Sequence, residues 1–233
     1  MSDPQPERDQ VGVRDDCDCP ADPRIARFFD RRATTRRAKG ERFAMGGVSR
    51  TLLAALRDAG PSGRSILELG CGPGALLTEL LIGGASSGTG FDLSAEALAE
   101  ARERTIESDV ADRATFVNAD GARSTLPRSD WVVLDKVICC YPDPDALVAN
   151  SIAAAQQVYA FALPASDGWR GALSRLFLGV ENRLLRALAK PCPGYVHDVT
   201  RIETRLRDAG FIERSRTTAE LVWHVAVFER SAT

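Results

Sequence analysis

A chain of 233 residues is long enough for one large α/β domain with a substantial core, or for two small ones. Its 44% hydrophobic and 27% charged residues are ordinary for a soluble globular protein, and a formal net charge of -2 argues against wholesale nucleic-acid binding. No apolar run approaches the roughly 20 residues that span a bilayer, and Met1 to Arg14 is polar and acidic, unlike a secretory signal. A cytoplasmic protein with neither membrane nor nucleic acid as partner is therefore expected.

Residues 1–23 set Pro4, Pro6, Pro20 and Pro23 among Asp, Glu and Gln, the composition of a mobile tail. Residues 24–60 read as helical, with Val48, Leu52, Leu56 and Ala59 at helical spacing and Gly60-Pro61 as the stop. The first part of that stretch is basic: Arg24, Arg27, Arg31, Arg32, Arg36, Arg37, Lys39 and Arg42 stand against Asp30 and Glu41. It reads as a solvated helix face or as a lid over the substrate, where an anionic acceptor would suit its charge.

From residue 65 strands and helices alternate. Ser65–Leu69, Thr89–Asp92, Ala114–Val117, Trp131–Leu134 and Val158–Leu163 read as strands. Between them lie helices over Ala75–Ile82, closed by Gly83-Gly84, over Ala95–Arg104, capped by Ser94, and over Ala146–Ala155. Repeated β-α units predict a mainly parallel sheet with helices on both faces. A long helix follows, whose stripe of Leu173, Leu176, Phe177, Val180, Leu184 and Leu188 is expected in the core, with part of it roofing an acceptor pocket; Pro191 and Pro193 stop it. Thr200 and Glu203 form a capping-box pattern for a helix ending at Gly210. Phe211–Thr217 and Leu221–Glu229 then read as an antiparallel hairpin. The division is thus a tail over 1–23, a helical lid over 24–60, and a domain over 61–233 with a helical insertion at 168–198.

The most informative segment is Ile66-Leu67-Glu68-Leu69-Gly70-Cys71-Gly72-Pro73-Gly74: an apolar strand, a glycine-rich turn, then a helix. Such glycines let the backbone turn sharply and approach a ligand. The pattern resembles motif I of class I S-adenosylmethionine (SAM)-dependent methyltransferases, in which the loop wraps the methionine part of SAM and the acidic residue, here Glu68, helps hold its ammonium end. Gly70-x-Gly72-x-x-Ala75 also meets the looser dinucleotide fingerprint, so an NAD(P)-dependent oxidoreductase is the alternative, and a non-catalytic SAM-fold partner subunit is another.

Asp92 ends the second strand 22 positions after Gly70, where a carboxylate accepts hydrogen bonds from ribose hydroxyls or simply caps a helix, and Leu93 can lie against adenine. In the family an Asp after the third strand meets the adenine amino group and its neighbour's backbone meets a ring nitrogen; Asp120 and Gly121 match. The resemblance implies a seven-stranded, mostly parallel sheet ending in an antiparallel hairpin, and SAM as cofactor. Glu68, Gly70, Cys71, Gly72, Gly74, Asp92, Leu93, Asp120, Gly121 and Asp135 are the residues expected to hold it.

The fourth strand and its exit loop, Asp130 to Asp143, should border the transferring methyl group, because ligands of open α/β sheets sit beyond the C-terminal strand ends. The loop lacks the Asn-Pro-Pro-Tyr type sequence of many nucleic-acid amino methyltransferases. The Tyr141-Pro142 pair, the long basic-apolar helix and Gly194-Tyr195-Val196-His197 are similar to the layout of magnesium-protoporphyrin O-methyltransferases, which carry a His where this chain has Cys140. A small-molecule acceptor is expected, partly apolar or anionic. His197, Tyr141 and Tyr195 are the candidate catalytic or acceptor-contact residues, with His224 structural. The cysteines Cys17, Cys19, Cys71, Cys139, Cys140 and Cys192 are expected to be reduced thiols with no metal. The competing reading gathers Cys17, Cys19, Cys139 and Cys140 around a soft metal or metalloid.

Overall fold

The computed structural model describes residues 23–187 and 194–231. Its seven strands are β1 (Ser65–Leu69), β2 (Ser87–Asp92), β3 (Ala114–Asn118), β4 (Ser129–Asp135), β5 (Ala155–Pro164), β6 (Phe211–Ala219) and β7 (Trp223–Arg230). They form one sheet in the order β3-β2-β1-β4-β5-β7-β6. Strands β1 to β5 pair in parallel, and β7 runs antiparallel to both β5 and β6. The expected fold, a mostly parallel seven-stranded sheet finished by a hairpin, is the observed one. Strand order reverses between β1 and β4, so the loops leaving these two strands part to opposite faces and open a crevice at their C-terminal ends.

Side chains alternate along the central strands and are apolar on both faces, because helices cover both. Ile66, Trp131 and Val133 face a cluster built on α2 (Gly47–Ala59) and α3 (Ala75–Ile82). Leu67, Leu69, Val132 and Leu134 face the opposite cluster, built on α5 (Asp145–Ala154) and α7 (Val199–Asp208). Trp131, Tyr159, Phe161 and Phe228 are fully buried and fill the sheet's middle. Helix α4 (Ala95–Glu107) is capped as its sequence predicts, Ser94 Oγ accepting from Ala97 N–H at 3.1 Å.

Three expectations are corrected. The helical stretch 24–60 is two helices, α1 (Pro23–Ala38) and α2, and α2 is sheet packing: Val48, Leu52, Leu53 and Leu56 are buried in the core. The α7 cap is Asp198, which accepts from Arg201 N–H, rather than Thr200, which lies inside the first turn. Glu203 is drawn away from the cap by Arg207 at 3.0 Å and Arg216 at 2.8 Å. The apolar stripe of α6 (Gly168–Ala187) is not core: Leu176, Phe177, Val180 and Leu184 are exposed. Residues Gly171 and Ser174 on another face of that helix make the buried contact. The proposed tail with Cys17 and Cys19, and also Leu188, Pro191, Cys192 and Pro193, lie outside the described residues.

Candidate active site

A cavity of about 670 Å³ lies in the crevice, bounded by the β1 glycine loop, the loops leaving β2, β3 and β4, and α1. Gly70, Gly72 and Gly74 all have positive φ, the region that favours glycine. Their surroundings differ. A Cβ on Gly70 would stand 2.5 Å from Val137 Cγ2, and one on Gly74 would stand 2.8 Å from Ala101 Cβ. At Gly72 no protein atom lies within 4 Å of that position. Gly70 and Gly74 therefore serve packing of the loop against β4's exit and α4, while Gly72 keeps space open beside the cavity.

Two carboxylates sit side by side at the base of the loop. Glu68 is buried and its Oε2 has no hydrogen-bond partner. Burial, and then the charge of Asp135, push its carboxyl well above the usual range. Asp135 Oδ2 accepts from Ser49 Oγ, which in turn accepts from Lys136 Nζ at 2.7 Å. Burial raises the Asp135 carboxyl, with Lys136 and Ser49 pulling it back, and Oδ1 has no partner. Lys136 has φ of 59°, a conformation that costs a non-glycine residue of order 1 kcal/mol and that directs the loop away from the strand.

Asp92 braces the glycine loop from the next strand: Oδ2 accepts from Gly72 N–H and Oδ1 from Ser94 N–H, each at 2.8 Å. Burial raises its carboxyl while these two bonds lower it. Leu93 beside it lines the cavity. Asp120 accepts from Tyr141 Oη at 2.6 Å and from Ala122 N–H at 2.9 Å, so the third-strand turn and the β4 exit loop are tied together across the cavity. Burial, and then Asp120, raise the Tyr141 phenol, keeping it a hydrogen-bond donor.

His197 and Tyr195 stand behind this loop rather than in the lining. His197 Nε2 is 2.9 Å from the Tyr141 carbonyl, its ring stacks on Tyr195 at 6.0 Å, and Tyr195 N–H donates to the Cys139 carbonyl at 2.8 Å. Burial lowers the His197 pKa. His224 is packed away on β7, stacked on Phe161 and 3.1 Å from Glu203 Oε1. Cys139 and Cys140 point their sulfurs at the Lys136 carbonyl, at 3.4 and 3.6 Å, and Cys71 is buried with its thiol pushed up by burial. Among the described residues no group of His, Cys, Asp and Glu could hold a metal ion.

The remaining wall is one that the sequence reading left general. Phe29, Arg32, Ala33 and Arg36 of α1 line the cavity at helical spacing, the signal that could have singled them out of the basic run. Helix α1 is held on α4 by a seam of polar contacts. Asp30 accepts from Ser94 Oγ, Arg36 and Arg37 donate at 2.6 Å to Glu100 and Glu103, and Arg42 pairs with Glu107. Arg36 Nε is buried with no partner, and Arg32 has no ion-pair partner among the described residues.

With this geometry in place, comparison with known proteins becomes specific. Residues 66–157, from β1 to the start of β5, match the family model described as a methyltransferase domain. Residues 66–157 therefore carry a methyltransferase domain, and the sheet order around them is that of the class I SAM-dependent methyltransferase fold. No curated protein sequence matches the chain. Among solved structures the methyltransferase is similar to magnesium protoporphyrin IX methyltransferase from Synechocystis PCC 6803, solved with bound S-adenosylhomocysteine. That match has 22% identity and a TM-score of 0.69, covering 90% of this chain and 100% of the other. It is also similar to the N-methyltransferase NodS of Bradyrhizobium japonicum WM9, at 19% identity and TM-score 0.59, covering 78% and 85%. An O-methyltransferase family protein from Burkholderia thailandensis aligns at 17% identity and TM-score 0.63, covering 79% and 56%. At these identities the likeness is one of fold, and neighbours of one fold carry different acceptors. The cavity is compatible with SAM: two buried carboxylate oxygens, of Glu68 and Asp135, lack a partner, and the glycine loop leaves open space at Gly72.

Proposed function

We propose that this methyltransferase transfers the SAM methyl group to a small, partly apolar molecule through an oxygen of its carboxylate. The observation that carries the acceptor assignment is the α1 wall of the cavity, where Arg32 has no ion-pair partner among the described residues and Arg36, although paired with Glu100, keeps a buried Nε without a partner. An ionised acceptor would answer both arginines with charge-assisted hydrogen bonds.

When bound, SAM supplies an electrophilic sulfonium methyl group. Glu68 and Asp135 hold the ammonium end, since their free oxygens sit next to the glycine loop. Asp92 accepts from the ribose hydroxyls with the lone pairs that Gly72 and Ser94 leave, and Leu93, Asp120 and Gly121 border the adenine. Tyr141 and the α1 wall close the acceptor side, with His197 and Tyr195 positioning Tyr141 from behind. No histidine lines the cavity among the described residues. A carboxylate acceptor suits this wall, because it is already ionised at neutral pH and no proton has to be removed. The side chains then have to orient the acceptor in line and exclude water, which can supply much of the rate. Helix α1 serves as the lid.

The test is transfer from methyl-labelled SAM to a panel of apolar carboxylic acids beside their amides. Transfer to the acids alone, with KM raised at least tenfold by Arg32→Ala and by Arg36→Ala, is the expected result. Equal labelling of acids and amides, or no effect of the two substitutions, would overturn the carboxylate assignment.

A further inference from the structure

The α6 helix packs inward on a face of small and polar residues and leaves its apolar face in solvent. At about 100° of rotation per residue, Gly171, Ser174, Leu178 and Asn182 share a side, and this side packs inward. Gly171 and Ser174 are buried, Leu178 is half-buried, and Asn182 exchanges two hydrogen bonds of 2.8 Å with the backbone of Gly194. On the far side Trp169, Leu173, Leu176, Phe177, Val180 and Leu184 fall in a single stripe. Trp169 is 63% exposed, Leu176 64%, Phe177 59%, Val180 61% and Leu184 59%. At the nearby hairpin tip Leu221 is also exposed, at 66%, and the β6–β7 end is tied to α6 by Arg170 to Thr218 and Ser174 to Val222. Scattered apolar side chains on a surface are ordinary, but a continuous row of large ones marks a contact surface.

Charge identifies the partner. Arg170, Arg175 and Arg183 are exposed on the same helix, and none has a carboxylate partner among the described residues. The arginines of the adjacent α7 and β6 behave differently. Arg201 and Arg205 pair with Asp145, Arg207 and Arg216 with Glu203, and Arg214 with Glu229. Of the three on α6, Arg170 and Arg183 flank the exposed apolar stripe and carry no ion pair among the described residues, while Arg175 lies nearer the inward side. A lipid headgroup layer supplies both an apolar boundary for the stripe and anions for the arginines that flank it. Trp169, with Arg170 stacked 5.3 Å over its ring, is a side chain suited to such an interface. The helix is not long and apolar enough to cross a membrane.

We propose that α6, with Leu221, lays the methyltransferase in the plane of an anionic lipid surface. The test is co-sedimentation of the purified chain with phosphatidylcholine vesicles, with and without phosphatidylglycerol. Tryptophan emission reports the contact, since Trp131 is buried and Trp223 half-buried, leaving Trp169 to respond. At least tenfold more protein should sediment with the phosphatidylglycerol vesicles, with a shift of emission to shorter wavelength and release at high salt. The double variant Phe177→Glu/Val180→Glu should lose both signals while keeping its affinity for SAM, which shows that it is folded. No vesicle binding, or equal binding to pure phosphatidylcholine, overturns the proposal. So does a dimer by light scattering that the same double variant dissolves, since the stripe's occupant would then be a second copy.

Discussion

Glu68 and Asp135 place two carboxyl groups together in a buried setting, so either a proton or a cation must offset their repulsion. Burial and its neighbour's charge raise the Glu68 carboxyl, so in the ligand-free protein it holds a proton above the ordinary carboxylate range. The linkage sign follows from that rise. Stability contributed by the neutral Glu68 is full below the ordinary carboxylate pKa and is lost as pH rises through the raised value. An ammonium bound beside the pair lowers that value again, so SAM binding should release a proton in this window. Calorimetry in buffers of different ionisation enthalpy should detect the release in the natural chain. Glu68→Gln should abolish it and weaken SAM at least tenfold, about 1.4 kcal/mol; release that persists in the variant would assign the proton elsewhere. The glycines offer a second contrast at this scale. Gly70→Ala puts a methyl against Val137 and strains the backbone, so it should lower stability by about 1–3 kcal/mol. Gly72→Ala meets no protein atom. It should keep more of the fold, as read by chemical denaturation, yet lose SAM affinity because its methyl fills the loop's open side.

Among the elements, α4 holds the α1 wall of the cavity in place. Helix α4 presents Glu100, Glu103 and Glu107 along one face, and α1 with its following turn answers with Arg36, Arg37 and Arg42. The outer pairs are exposed and screened by salt, so they contribute little. Glu100 is the buried member, also accepting from Phe43 N–H at 3.1 Å. Glu100→Ala should therefore loosen α1 selectively: amide exchange over 25–38 should speed at least tenfold, with β1 and β4 unchanged. If the whole chain exchanges faster, Glu100 is holding the core rather than the lid. The same elements show where local signals sufficed. Ser94 was legible as the α4 cap because Asp92, two residues earlier, is taken up by the N–H groups of Gly72 and Ser94 and leaves the Ala97 N–H to the serine. Thr200 and Glu203 had the capping-box spacing, but Asp198 stands two residues earlier and the arginines of α7 and β6 claim the glutamate.

For the whole molecule, the cavity is lined from the ends of β1, β2, β3 and β4, so a cofactor bound there as proposed should be visible as global stabilisation. SAM at a hundred times its Kd adds about 2.7 kcal/mol. In a domain of this size that should raise Tm by about 5–10 °C. NADH at the same concentration should leave Tm unchanged, and a larger shift with NADH would reverse the cofactor assignment.

The sequence by itself determined the sheet, its hairpin ending, the glycine loop and the acidic residues at three successive strand ends. Each of these is written in short-range patterns, such as apolar runs of strand length, turn glycines and caps, and short connections leave few topologies open. Only the tertiary structure decided the rest. Ser49, Asp135 and Lys136 form one cluster although 86 residues separate the first two. His197 ended behind Tyr141 instead of in the lining, and of the α1 arginines Arg37 pairs on α4, Arg32 lines the cavity and Arg36 does both. The α6 stripe carries the period of a buried helix and lies in solvent, because periodicity records that a face is apolar and not what covers it.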